Sequence, residues 1–439
     1  MYREISKLLL YGCQPEDSIL MRLSGIFDDW DHSRCEKPVL IQRIYTEAKR
    51  LLDLATAYGF DDNLWHNYLT FLMMTCENSF SLTCELSGPG DGSVNHFAKA
   101  DFRAFKRLFD YDFTAIEQDL GIDVFSVLGS YRAIPKKAQM YNRNVSEKVR
   151  ALSRQIEQAA DENEIFDLVT GHYRAHGVGL FGLNRAFRVK EAADGVAFIP
   201  INNIDRVVLD DLIGYEGQKK ELRANTEAFV AGRGANNMLL YGDAGTGKST
   251  SVKAVLNEYC DRGLRMIEIY KHQFGLLSEI ISRVKNRNYR FMIFIDDLSF
   301  EENEVEYKFL KAVIEGGIET KPDNVLICAT SNRRHLIRET WNDRQDMEFK
   351  GDVHRSDTME EKLSLAARFG CAINYNAPDR RQYHDIVKGL AQRAGDFGLT
   401  EEQLLLQANT WEIRHGGISG RTAQQFINHL CGLRTDAEA

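Results

Sequence analysis

The sequence predicts an α/β protein in three parts: a mostly helical N-terminal region over residues 1–200, a parallel sheet with covering helices over 205–377, and a helical lid subdomain over 378–439. Three observations carry this reading. Short, continuous apolar runs alternate with helical patterns between Met238 and Tyr375, as expected of parallel strands buried on both faces. From Pro378 onward no strand pattern remains, only three helical ones, near Arg380–Gln392, Thr400–Asn409 and Ser419–Leu433. Over residues 1 to about 125, apolar and aromatic residues recur at three- and four-residue steps.

Composition narrows the function classes. The chain has 439 residues, and a formal net charge of −9 argues against coating nucleic acid through bulk charge. The N-terminal MYREISKLLLYG lacks the long apolar core of a signal peptide. No run approaches the roughly 18 apolar residues that a membrane helix needs. Eight scattered cysteines form no C-x-x-C pair, so reduced thiols in a cytoplasmic protein are expected.

In the N-terminal region, Ile41, Ile44, Tyr45, Ala48, Leu51, Leu52 and Ala55 mark one helix, and Leu64, Tyr68, Leu69, Phe71 and Leu72 a second. A turn at Tyr58–Asp62 separates them, and Ser87–Ser93 (SGPGDGS) reads as a loop. Phe97, Phe102, Phe105, Leu108 and Phe109 form an aromatic stripe with Lys99, Arg103, Lys106 and Arg107 interleaved. A core-facing stripe beside a solvated basic face is expected there, rather than a nucleic-acid or partner helix. Asn144–Leu168 is polar and helix-favouring, and Phe187–Pro200 suits a short strand pair. His172 and His176 have no third ligand nearby and are expected to be surface histidines.

At Leu209 the character changes. A loop around Gly214 precedes an amphipathic helix through Leu222, Thr226 and Phe229. The apolar run Met238–Tyr241 then leads into Gly242-Asp243-Ala244-Gly245-Thr246-Gly247-Lys248-Ser249-Thr250, which contains the P-loop pattern G-x-x-x-x-G-K-[ST]. Glycines permit φ > 0 and let backbone N–H groups close around a phosphate chain. The helix starting near Lys248 presents its positive end to the same phosphates. Lys248 would reach the β- and γ-phosphates, and the Ser249 hydroxyl would ligate Mg²⁺.

Strands are expected at Met266–Tyr270, Phe291–Ile295, Val325–Ala329 and Cys371–Tyr375, with helices at Val252–Tyr259, Phe274–Lys285, Glu304–Ile314 and Thr358–Arg368. The strand Phe291–Ile295 ends in Asp296 and Asp297. Asp296 would hold Mg²⁺, and Asp297 would orient or deprotonate the attacking water. Asn332, after the next strand, has an amide that can donate to phosphate and accept from water; a turn-forming role is equally open.

Taken together, LLYGDAGTGKS, FIDDLSFE, ATSNRRHL, SDTMEEKLSLAARFG and GISGRTAQQF resemble the AAA+ ATPase superfamily, and more narrowly an uncharacterised bacterial AAA+ family catalogued as a domain of unknown function. The resemblance covers about Leu209–Leu433 and, more loosely, the N-terminal half. It implies that the loop at Ile213-Gly214-Tyr215 contacts adenine, that Arg421 is a sensor arginine from the lid, and that Arg368 is an arginine finger acting on a neighbouring subunit. Where the superfamily has Asp-Glu, this chain has Asp296-Asp297, one methylene shorter at the second acid.

The expected function is ATP hydrolysis with Mg²⁺ in a homo-oligomer, driving the lid against the α/β core to act on a protein or nucleic-acid partner. An ATP-gated binding module with little hydrolysis is the alternative. A small-molecule kinase is disfavoured because no second-substrate motif is visible, and a GTPase because no N-K-x-D motif follows the acidic strand. The basic stretch Arg283–Arg290 is expected to be a solvated helix end rather than a nucleic-acid contact.

Overall fold

The structure is a computed structural model, described here for residues 1–133, 143–192, 195–300, 306–315, 322–332 and 365–433. The chain divides into two units: Met1–Arg185 with Pro200–Asn203, and Ala186–Ile199 with Ile204–Ala439.

The first unit is helical. Its longer helices are Ile19–Asp31, Lys37–Tyr58, Leu64–Thr75, Val94–Phe109, Arg143–Gln158 and Glu162–His176. Their ends follow from local chemistry. The Ser18 and Asn63 side chains accept the N–H groups of Met21 and His66, satisfying donors the first helical turn leaves open. Gly59, at φ 69°, ends the Lys37–Tyr58 helix in the left-handed conformation that glycine adopts without strain.

On the Val94–Phe109 helix, Phe102, Phe105, Leu108 and Phe109 are buried in the unit's core, as the stripe predicts. Phe97 departs from the stripe and is 46% exposed. The basic residues of that helix are engaged within the fold: Arg103 with Glu162, Lys106 with Asp110 at 3.1 Å, and Arg107 with Glu4 at 3.1 Å. Lys99 donates to Asn163 at 2.9 Å.

One expectation is corrected here. His172 is half-buried rather than a surface residue, and its Nε2 has no hydrogen-bond partner. Burial pushes its pKa down to about 3, helped by nearby His176 and Lys148.

The second unit is built on a seven-stranded, mostly parallel sheet. Its strands are β1 (Ala186–Ala192), β2 (Gly195–Pro200), β3 (Met238–Gly242), β4 (Leu264–Ile269), β5 (Arg290–Ile295), β6 (Val325–Ser331) and β7 (Cys371–Tyr375). Their order across the sheet is β2-β1-β4-β5-β6-β3-β7. The β1·β4, β4·β5, β5·β6, β6·β3 and β3·β7 pairs are parallel. All seven residues of β6 are buried, and so are five of the six of β5; such strands have no solvent face to encode by alternation. The strand pair expected over Phe187–Pro200 is present, and Ala186–Arg188 register with Met266–Glu268. That pairing assigns β1 to this sheet, although it lies ahead of the boundary expected near residue 200.

The helices Glu216–Val230, Lys248–Tyr259, Leu277–Val284 and Glu306–Glu315 accompany the sheet. The segment expected to be helical from Phe274 opens as a 3₁₀ turn over Lys271–Leu276 before the α-helix starts. The lid helices are Arg380–Ala394, Glu401–Arg414 and Gly420–Leu433, packed around their own cluster of Tyr383, Val387, Ala408, Ala423 and Phe426. Asp379 and Thr400 cap the first two in reciprocal capping boxes with Gln382 and Gln403. No helix among the described residues is long and apolar enough to cross a membrane.

Candidate functional site

The sheet order puts β6 between the P-loop strand β3 and the acidic strand β5. Leu240 registers with Thr330, and Ile295 with Ala329, so all three strands end at the same level. The P-loop leaves β3 there. Gly242 has φ 132°, and a Cβ on it would stand 2.2 Å from the Tyr375 carbonyl oxygen, so only glycine fits. Gly245 and Gly247, at φ 76° and 93°, make the remaining turns before the Lys248–Tyr259 helix begins.

A cavity of ≈ 1030 Å³ opens at this edge. Ala244 to Thr250, Asp296, Asp297, Thr330 and Asn332 line its sheet end. Ile213, Ile386 and Leu390 contribute apolar surface, and Gly420, Arg421, Gln424 and Asn428 come from the last lid helix. The volume is of the order found for small-molecule sites, roughly 300–1,000 Å³.

Lys248 is 6% exposed. Its ammonium donates to the carbonyls of Gly242 at 3.0 Å and Asp243 at 2.6 Å, and to Asn332 Oδ1 at 3.0 Å. Burial lowers its pKa, with Asp243, Asp297 and Asp296 pulling the other way and Arg421 adding to the depression. The charge is therefore held by neutral oxygens, a setting in which an incoming anion gains most.

The acids are arranged around β6. Ser249 Oγ and Thr330 Oγ1 both donate to Asp296 Oδ1, each at 2.6 Å. Asn332 Nδ2 donates to Asp297 Oδ1 at 2.8 Å. Asp297 has φ 52°, a left-handed conformation that is uncommon outside glycine and is found where surrounding structure enforces it. Asn332 thus spans the gap between Lys248 and Asp297.

The Ser249 hydroxyl and Asp296 carboxylate are adjacent hard-oxygen donors, and their chemistry fits Mg²⁺. No group of three or more His, Cys, Asp or Glu among the described residues gathers to hold a metal. A cation here would draw its remaining ligands from phosphate and water, as Mg²⁺ commonly does.

Not every expected residue lines the cavity. Gly242, Asp243 and Gly214 do not line it. The Asp243 carboxylate accepts the Ala377 N–H at 2.6 Å, tying the P-loop to the start of the lid. Gly214, at φ 80°, and Tyr215, at φ 60°, turn the chain so that Tyr215 stacks on Tyr375 at 5.3 Å between ring centroids. Tyr375 donates to Ser251 at 3.0 Å, and Ser251 to the Gly247 carbonyl at 2.9 Å. This chain connects the Ile213–Tyr215 loop to the P-loop. Arg421 lines the cavity, and its backbone N–H donates to the Gly245 carbonyl at 3.1 Å. Because that bond is made by the backbone, it fixes the first turn of the last lid helix against the P-loop independently of the guanidinium.

Arg368 does not line the cavity, and its N–H bonds to the Leu365 carbonyl. Glu301, Glu302, Arg333, Arg334, Glu361 and most of the helix expected over Met359–Ala367 lie outside the described residues. Sequence reasoning missed Thr330, Tyr375 and the lid residues Ile386, Leu390, Gln424 and Asn428. Thr330 carried a usable signal: it stands two residues before Asn332, hence on the same side of an extended chain.

Residues 183–434 match the model of a family described as "Protein of unknown function (DUF815)". The chain belongs to this family. Its fold has the parts expected from the motifs, a P-loop on a mostly parallel sheet followed by C-terminal helices. Solved structures that match include two of Thermotoga maritima RuvB, one of a point variant and one of the Holliday junction branch migration motor. Each is 16% identical, with a TM-score of 0.31, covering 51% of this chain and 71% of its own. No curated protein matches the chain.

Proposed function

We propose that the second unit binds ATP with Mg²⁺ and hydrolyses it, and that the nucleotide cycle moves the lid against the sheet to act on a macromolecular partner. One observation carries the proposal. Lys248, Ser249, Asp296, Asp297 and Asn332 follow three different strands, yet hydrogen bonds run from Lys248 through Asn332 to Asp297 and from Ser249 to Asp296, all at one end of one cavity.

Each residue then has a task. The P-loop N–H groups and the Lys248 ammonium bind the phosphates, and the buried setting of Lys248 strengthens that attraction. Ser249 and Asp296 would hold Mg²⁺, whose chemistry there would be to neutralise charge developing on the phosphoryl oxygens. Asp297 orients the attacking water and takes its proton, with Asn332 fixing the carboxylate. Ile213, Ile386 and Leu390 offer the base an apolar slot, and Arg421 senses the phosphates from the lid. Arg368, outside its own cavity, acts across an interface in a homo-oligomer.

A second reading is an ATP-gated binding module with slow hydrolysis. It is favoured by the short side chain of Asp297, whose Oδ1 is already engaged by Asn332. Turnover separates the two. Phosphate release should be measurable in the wild type, Asp297→Asn should keep ATP but lose about 10²-fold or more in rate, and Asp296→Asn should lose Mg²⁺-dependent binding. Wild-type turnover at the uncatalysed rate would leave the switch reading; normal turnover in Asp297→Asn would remove that residue as the base. The Asp297→Asn protein held in ATP is also the bait with which to capture a partner.

A further inference from the structure

Thr330 joins the two acids. It is the sixth residue of β6 and is 1% exposed. Its hydroxyl donates its single proton to Asp296 Oδ1 at 2.6 Å and accepts the Asp297 N–H at 3.0 Å. Its carbonyl accepts the Leu298 N–H at 2.7 Å, and Ser331 Oγ donates to the Leu298 carbonyl, also at 2.7 Å. Three consecutive residues after β5 are therefore fastened to two consecutive residues of β6.

These bonds have consequences for both carboxylates. Asp296 Oδ1 takes the protons of Thr330 and Ser249 together, which fixes the plane of the carboxylate and turns Oδ2 to other donors or a cation. Asp297 is held at φ 52° because its own N–H and that of Leu298 are both bound to Thr330. In that left-handed conformation its side chain meets Asn332. Without the hydroxyl, the Asp297 N–H would lack its acceptor and the turn would lose a reason to stay left-handed.

We infer that Thr330 is the positioning residue for both acids, setting Asp296 for Mg²⁺ and holding Asp297 in its left-handed turn. The inference rests on the reading of the cavity as a Mg²⁺–ATP site. It concerns no group of the nucleotide: Thr330 acts through Asp296 and Asp297.

The test is titration of the full chain with a fluorescent ATP analogue, in Mg²⁺ and in EDTA, alongside steady-state kinetics. Thr330→Val keeps the shape and removes the hydroxyl. Its affinity in EDTA should stay within about twofold of wild type, while the tightening conferred by Mg²⁺ should shrink at least about fivefold. Its kcat should fall at least about tenfold with a smaller change in KM. Thr330→Ser, which restores the hydroxyl, should recover both quantities to within about threefold. Should Thr330→Val not fold, Thr330→Ala is expected to show the same split.

The inference is overturned if the valine or alanine variant keeps the full Mg²⁺ effect, if it loses EDTA and Mg²⁺ affinity equally, or if serine does not rescue. A wild type whose affinity ignores Mg²⁺ overturns the site reading itself and this inference with it. The two failures are distinct, since one appears in the variants and the other in the wild type.

Discussion

In the helical unit, Asp101 is wholly buried and its carboxylate accepts the backbone N–H groups of Leu9, Leu10 and Tyr11. The Tyr11 hydroxyl in turn lies 2.7 Å from that of Tyr173, whose own proton goes to the Met73 carbonyl. In the second unit Lys248 is almost as hidden, yet its ammonium meets carbonyl and amide oxygens and a cavity opens beside it. A buried charge is costly unless it is paired and hydrogen-bonded. Asp101 receives its donors from the fold and so contributes to stability. Lys248 lacks a direct carboxylate partner among the described residues, so it gains from an anion supplied from outside. The difference separates a charge whose partners the fold supplies from one that faces an open cavity.

The strongest way to test this comparison is to ask what else the cavity lacks. Among the described residues its cationic lining is Lys248, Arg393 and Arg421. An arginine supplied from a neighbouring copy can be worth about 10³–10⁵ in rate. Arg368→Ala and Lys248→Ala proteins should each be nearly inactive, and a mixture should recover activity by pairing an intact P-loop with an intact arginine. Full activity in Arg368→Ala alone, or turnover by a strictly monomeric sample, would remove the trans arginine.

On the other side, Asp101→Ala strands three backbone N–H groups. Hydrogen bonds to charged groups contribute about 1.5–3 kcal/mol each. The substitution should therefore lower stability in denaturant titrations by about 3 kcal/mol or more. A loss under about 1 kcal/mol would mean that those N–H groups find water or other acceptors.

His172 gives an effect confined to acid pH, with a sign that can be worked out. Burial depresses its pKa from 6.5 to about 3, so the folded protein favours the neutral ring. In that window the unfolded chain binds more protons. The stability from this residue is fully present above pH 6.5 and is lost as pH falls toward 3, by at most about 1.4 kcal/mol per pH unit. His172→Gln should flatten the acid limb of a stability–pH curve. Equal slopes in the two proteins would mean that His172 titrates normally.

Much of the second unit is legible in the sequence because its signals are local. A glycine pattern, an apolar run of five and an acidic strand end each declare themselves within a dozen residues, and Asp296, Asn332 and Lys248 come together as the spacing suggests. What escapes is set by long-range pairing. The two-residue spacing puts Thr330 on the same side of the strand as Asn332, but its bond to Asp296 depends on β6 sitting beside β5, which only the sheet order decides. The Tyr215–Tyr375 stack joins residues 160 positions apart. Phe97 shares the helical spacing of its stripe yet lies exposed, since periodicity marks a face but not where the core stops. His172 shows the opposite limit, a polar residue whose burial depends on how the neighbouring helices close over it.

The most direct measurement for the central claim is equilibrium titration of wild-type and Lys248→Ala proteins with a fluorescent ATP analogue in Mg²⁺. Loss of the buried ammonium should weaken binding about tenfold or more, while both proteins keep the same far-ultraviolet circular dichroism. Equal affinity in the two folded proteins would contradict the account, because the cavity would then owe nothing to the charge it was read from.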